Sequence, residues 1–165
     1  VGQSICELDK LETAMKLLAT AKSKGCELVL PVDNIIAKEF KAHAEHKTNT
    51  GNIPADFQGL DIGPETRKLF AAKIADAKTI VWNGPMGVFE MEPFDAGTKA
   101  VAEAIAAATD KGAVSIIGGG DSAAAVEQMG LEERMTHIST GGGASLEFLE
   151  GRKFTCIEIL DEKED

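Results

Sequence analysis

Ile116 to Ser122 reads IIGGGDS: two branched apolar residues, three glycines, an aspartate and a serine. A second glycine run, TGGGAS from Thr140 to Ser145, follows the short apolar stretch THIS. Each run precedes a helix-forming segment, so amide N–H groups and the positive end of a helix face the turn. Glycine lets the backbone approach an anion closely and adopt positive φ. Two such turns side by side point to a polyphosphate or to two phosphate groups; tight βα turns are the other reason for glycine there. Asp121 would repel bound phosphates unless a cation lies between them. It is therefore read as a Mg²⁺-linked ligand, direct or through water, in preference to a helix N-cap. Ser122 adds a hydroxyl to the phosphates or caps the helix. Glu90, which closes the loop NGPMGVFE, offers a carboxylate to the paired hydroxyls of a ribose.

These turns need strands and helices to position them, and the chain alternates the two. Leu8, Leu11, Met15, Leu18 and Ala21 recur at helical spacing with Gly25 as a stop. CELVLP (Cys26 to Pro31) has the length and character of a strand, and Ile35 to Phe40 opens another helix. Lys41 to Asn52 reads as polar loop, with His43 and His46 solvated rather than metal-binding. GLDIGP (Gly59 to Pro64) is a turn, and Pro64 starts a helix through Leu69, Phe70, Ile74 and Ala75. TIVW (Thr79 to Trp82) and AVSII (Ala113 to Ile117) are strands. Between them Val101, Ala102, Ile105 and Ala106 mark a helix that ends near Gly112. Ala123 to Met129 is a helix, and THIS, TGGG and ASLEFLEG repeat the plan of strand, turn and helix.

Alternating βα units with apolar strands predict a Rossmann-like three-layer α/β/α domain with a mainly parallel sheet, spanning residues 1–165 as a single domain. Ligands of such sheets lie beyond the carboxyl ends of the strands. The loops after Trp82, Ile117 and Ser139 therefore share one edge.

Composition excludes several classes. The net charge is −10 and no basic cluster exceeds a pair, which argues against nucleic acid and against an anionic membrane. Cys6, Cys26 and Cys156 are far apart and odd in number, without metal or disulfide spacing. No signal peptide or membrane-length apolar run is visible, and cytoplasm is the default compartment. The chain opens on Val1, which reads as a fragment or a trimmed chain, methionine removal being the other route. GxxxxGK[ST] is absent. Gly118, Gly120 and Ala123 fit the loose dinucleotide pattern, but the acidic residue expected further on is missing. His137 reads as a packed core residue, and no catalytic triad is apparent.

VWNGPMGVFE, IIGGGDSAAA and HISTGGGASLEFLEG, with LPVD (Leu30 to Asp33) and GLDIGP, resemble the phosphoglycerate kinase family in order and spacing, from Val1 to about Arg152. The match is to most of the family's carboxy-terminal, nucleotide-binding domain. The resemblance implies reversible phosphoryl transfer from 1,3-bisphosphoglycerate to Mg-ADP, giving 3-phosphoglycerate and ATP in glycolysis. It implies that Glu90 holds the ribose, and that Gly119, Gly120, Asp121 and Ser122 hold the phosphates, Asp121 serving the Mg²⁺. Gly59 and Leu60 would line the adenine pocket, with Asn83 and Pro85 bordering the nucleotide. Gly120, Gly142 and Gly143 would face the transferring group.

The departures from the family matter equally. The amino-terminal, triose-phosphate-binding domain is absent, as is the glycine-rich opening of the carboxy-terminal domain with its lysines. The tail from Gly151 lacks the usual Pro-Gly. The expectation is a fragment that is inactive alone and prone to self-association, from a monomeric full-length enzyme. The alternative is a non-catalytic module that keeps the phosphate turns.

Overall fold

The computed structural model describes residues 1–139, 141–154 and 159. Thr140 of the second glycine turn, Cys156 and most of the tail lie outside the described residues. The main elements, in chain order, are α1 (Leu11–Ser23), β1 (Asp33–Ala37), β2 (His46–Thr50), β3 (Gln58–Ile62), α2 (Pro64–Ala75) and β4 (Thr79–Asn83). They continue with α3 (Ala96–Asp110), β5 (Val114–Gly118), α4 (Gly120–Gln128), β6 (His137–Ser139) and α5 (Gly142–Leu149). The α/β class is as expected, and the parallel sheet is present in the order β4-β5-β6. An antiparallel sheet, β2-β1-β3, adds to it.

That second sheet corrects three local expectations. Ile35 to Phe40 does not open a helix, because Asp33–Ala37 is a central strand paired on both sides. Two adjacent β-branched isoleucines suit that pleated, buried position. The polar stretch after it is not all loop, since His46–Thr50 is an edge strand, exposed except for the half-buried Asn49. GLDIGP is not a turn throughout: Gln58–Ile62 is strand and only Gly63 turns, as the N-cap of α2 with Pro64 at its first position. Conversely, Cys26 to Pro31 forms no strand, and Leu28 and Leu30 stand exposed. No strand among the described residues pairs with it, and an apolar run without a ladder partner has no reason to extend.

The core follows the predicted periodicities. Val101, Ala102, Ile105 and Ala106 of α3 pack on Trp82 and Ile117 of the parallel sheet, with Ile62 and Val126 closing the cluster. A second cluster gathers Ile35, Ala37, Leu60 and Ala44 around the fully buried Phe94. Alternation along the parallel strands turns Trp82, Ser115 and Ile117 inward and leaves Val81 and Val114 exposed on the other face. There Val81 and Ile116 line an open apolar cavity of about 440 Å³ with Phe148 and Leu149 of α5. That face is thus only partly covered, where burial on both faces is the expectation from apolar strands. α1 forms as expected but buries none of its residues. His137, expected in the core, is exposed on the edge strand β6. Because Ile117 is fully enclosed, Ile117→Val is expected to lower stability by about 1 kcal/mol in urea unfolding with no change in fold.

Candidate functional site

Parallel pairing brings three loops to one edge. The register aligns Asn83 with Gly118 and Gly118 with Ser139, so the segments after β4, β5 and β6 leave the sheet together. Gly119, at φ +94°, donates its amide to the carbonyl of Ser139 at 3.0 Å, which stitches the second loop to the third. A Cβ placed on Gly142 would lie 2.6 Å from Gly119 Cα and 3.1 Å from Asn83 Oδ1. A Cβ on Gly119 would lie 2.7 Å from the same Oδ1. Asn83, Gly119 and Gly142 therefore converge on one point, at a spacing only glycine permits.

Two helices start there. α4 begins at Gly120 and α5 at Gly142, and neither has a side-chain cap bond at its N-cap, Gly119 or Gly141. Their first amides are consequently left to face the crevice, the arrangement that suits an anion. Asp121 is exposed in the first turn of α4 and does not serve as the cap. Among the described residues its carboxylate makes no hydrogen bond or ion pair. Ser122 is fully buried, and its Oγ accepts the amide of Gly84 at 2.7 Å. It thus ties the β4 loop to α4. Gly120 and Gly143 are exposed, with open space where a Cβ would stand.

The β4 loop runs from this crevice to a cavity of about 440 Å³ on the β3 side. Gly59, Leu60 and Asp61 line that cavity with Pro85 to Val88, and Asn34, Ile53 and Ser4 also border it. The expected residues thus fall into two joined groups: Asn83, Gly119 and Gly142 at the crevice, Gly59, Leu60 and Pro85 at the cavity. Glu90 belongs to neither lining; it is exposed at the end of the loop, beyond the buried Phe89. The loop is fixed by main-chain and side-chain bonds. Val88 N–H donates to the Leu60 carbonyl at 3.0 Å, and Met86 and Gly87 amides donate to Thr98 Oγ1 at 3.0 and 3.3 Å. Trp82 Nε1–H donates to the Gly84 carbonyl at 2.7 Å.

Two buried carboxylates, neither singled out from the sequence, stand behind these elements. Asp33 accepts the amides of Glu65 and Thr66 at 3.0 and 2.8 Å and the Thr66 hydroxyl at 2.6 Å. It caps α2 from another strand, since Gly63 has no side chain to do so. Burial alone would raise the Asp33 pKa, but the Thr66 hydroxyl, the two amides and the Arg67 charge together hold it below its ordinary value. Asp61 accepts Ile62 N–H at 2.8 Å, Gly97 N–H at 2.6 Å and Arg67 Nη2 at 3.0 Å. Burial dominates there: against the pull of those amides and of Arg67, the Asp61 carboxyl is pushed up to about 6. The sequence signal for both was an aspartate enclosed by apolar residues, VDNII and LDI, in strands that had not been recognised.

Strands that each hand a glycine-bearing loop to the same sheet edge put the chain in the parallel α/β class whose ligand crevice lies at the strands' carboxyl ends. Within that class, a model of the family described as phosphoglycerate kinase matches residues 1–152, and the chain belongs to that family. It is 55% identical over 164 residues to phosphoglycerate kinase of Fervidobacterium nodosum, covering 98% of this chain and 41% of the relative. The chloroplastic phosphoglycerate kinase of Volvox carteri is 56% identical, over 99% of this chain and 36% of its own length. Among solved structures, phosphoglycerate kinase from Coxiella burnetii superposes with a TM-score of 0.85 at 43% identity, covering 92% of this chain and 38% of that one. The chain thus spans about two fifths of the curated relatives it matches.

Proposed function

We propose that this chain is the nucleotide-holding portion of a phosphoglycerate kinase, binding Mg-ADP or Mg-ATP across the crevice and the neighbouring cavity. The observation that carries the reading is the convergence of Asn83, Gly119 and Gly142 at two uncapped helix starts, joined by one loop to the cavity of Gly59 and Leu60. The nucleobase takes the cavity, between Leu60 and Pro85 to Val88. The ribose reaches toward Glu90, and the phosphates meet the amides of Gly119, Gly120 and the second turn.

Asp121 fits a magnesium ion by donor type: an exposed, unpaired carboxylate oxygen beside a phosphate crevice. No group of three or more His, Cys, Asp or Glu comes together among the described residues. Asp121 would hold a magnesium ion there, and the ion would supply charge neutralisation for the transferring group. The chain's own part is to fix the phosphates with oriented amides, through Gly120, Gly142 and Gly143, and to hold the loop through Ser122. Acyl-phosphate chemistry needs no general base for ADP, so the lack of a catalytic histidine is no obstacle. The complete reaction in glycolysis, with 1,3-bisphosphoglycerate and 3-phosphoglycerate as partners, belongs to the full-length protein in the cytoplasm. Among the described residues no helix is long and apolar enough to cross a membrane.

Calorimetric titration of the chain with ADP, with and without Mg²⁺, tests this. Binding is expected to need Mg²⁺ and to weaken about tenfold in Asp121→Ala, with no turnover in a coupled assay. Absence of nucleotide binding by a folded chain would favour the second reading, a module that keeps the turns without the activity. Turnover by the chain alone would overturn its description as a portion.

A further inference from the structure

We propose that Asp61 is the positioning residue of the nucleobase cavity: its buried carboxylate clasps β3 to the head of α3 and so sets the loop Pro85–Val88 against Leu60. The inference rests on the nucleotide reading above and goes beyond it to a buried residue of the cavity wall.

A continuous set of bonds carries it. Asp61 Oδ2 accepts the Gly97 amide at 2.6 Å in the first turn of α3. The next residue, Thr98, is fully buried, and its hydroxyl accepts the amides of Met86 and Gly87. Val88 returns to the Leu60 carbonyl, one residue before Asp61. The circuit runs β3, α3, loop, β3, and its one ionisable member is Asp61. Gly87 and Gly97 both lie against this carboxylate so closely that a Cβ on either would collide with Asp61 Oδ1. The loop and the helix have therefore been brought up to the charge itself. A carboxylate at a helix start is further favoured by the helix dipole.

The charged surroundings are simple. From α2, Arg67 meets Asp61 Oδ2 at 3.0 Å. From β1, Asp33 acts on the same Arg67 and stays ionised, its pKa lying below the ordinary value. The loop and α3 present Gly87 and Gly97, neither of them titratable. Protonation of Asp61, whose carboxyl titrates at about 6, removes the acceptor charge that the Gly97 amide and Arg67 share. Cavity geometry and nucleobase affinity should then follow pH across that value.

The test uses ADP and inorganic pyrophosphate, each with Mg²⁺, on the wild-type chain, Asp61→Asn and Thr98→Val, with circular dichroism to verify folding. Wild-type ADP affinity should fall about tenfold on acidification through pH 6, while pyrophosphate affinity changes less than about twofold over the same range. Asp61→Asn should lose about tenfold for ADP at neutral pH and have a flat profile; Thr98→Val should lose ADP affinity yet keep the pH step. Without any ligand, the emission of Trp82, bonded to the loop at Gly84, should shift through pH 6 in the wild type and not in Asp61→Asn. A folded Asp61→Asn with wild-type ADP affinity would overturn the proposal, as would a wild-type Trp82 signal flat across pH 6. If the wild type binds neither ligand, the nucleotide reading fails, and the Trp82 titration still decides whether Asp61 sets the loop.

Discussion

Gly142→Ala is expected to weaken Mg-ADP binding about a hundredfold while leaving the chain folded. The added methyl carbon would stand 2.6 Å from Gly119 Cα and 2.9 Å from Gly119 N, closer than real contacts allow. Neither neighbour is the far end of a flexible side chain. Both are backbone, and Gly119 is pinned by its bond to the Ser139 carbonyl. The strain is relieved only by moving the two glycine turns apart, which separates the amides that must meet one ligand. Gly119 and Gly142 are half-buried in turns beyond the strand ends and belong to neither core cluster, so the cost falls on the site more than on the fold. Calorimetry for affinity and a thermal melt for folding separate the two. Unchanged ADP affinity in a folded variant would mean that the convergence of Asn83, Gly119 and Gly142 does not form the phosphate crevice.

The meeting of the glycine turns at one sheet edge was legible in the sequence because its determinants are local. A glycine run between an apolar strand and an alanine-rich helix carries its own turn, and parallel pairing then decides which edge it occupies. The antiparallel sheet was not legible for the converse reason. Asp33–Ala37 is a strand through partners at Gln58–Ile62 and His46–Thr50, and its own five residues are compatible with a helix. His46–Thr50 is a polar edge strand without apolar alternation, so periodicity has nothing to detect. Cys26 to Pro31 fails in the opposite sense: the local pattern says strand, and no described segment supplies its ladder. Asp33 and Asp61 depend on contacts spanning more than thirty residues in sequence, to Glu65, Thr66 and Gly97. One clue was available. Gly63 before Pro64 offers a helix start with no capping side chain, and such a start requires an acceptor from elsewhere.

That acceptor makes Asp33→Ala the largest stability loss expected in the molecule, about 3 kcal/mol or more at neutral pH. The substitution strands two helix-start amides and leaves the Thr66 hydroxyl only the main-chain carbonyl of residue 33 at 3.1 Å, in a site where Asp33 and Thr66 are almost wholly enclosed. Asp33→Asn, which keeps one acceptor oxygen, should fall in between. The pH dependence then distinguishes the two buried carboxylates, because their shifts have opposite signs. Asp33 has a folded-state pKa below the ordinary 3.8, so its contribution is present above that value and is lost as pH falls through the folded pKa. Asp61 is raised to about 6, so the folded state holds its proton more tightly than the unfolded chain. Stability from Asp61 is therefore greatest below 3.8 and declines as pH climbs to about 6. The decline amounts to about 3 kcal/mol at about 1.4 kcal/mol per pH unit. Wild-type urea midpoints, followed by Trp82 emission, should rise from neutral pH toward about pH 4 and drop again below it. Asp61→Asn should lose the first slope and Asp33→Ala the second. A midpoint that increases steadily from acid to neutral pH would mean that Asp61 is ionised as readily in the folded chain as outside it. The ionised Asp61 thus costs stability at neutral pH, and the Gly97 clasp is what the fold retains in exchange.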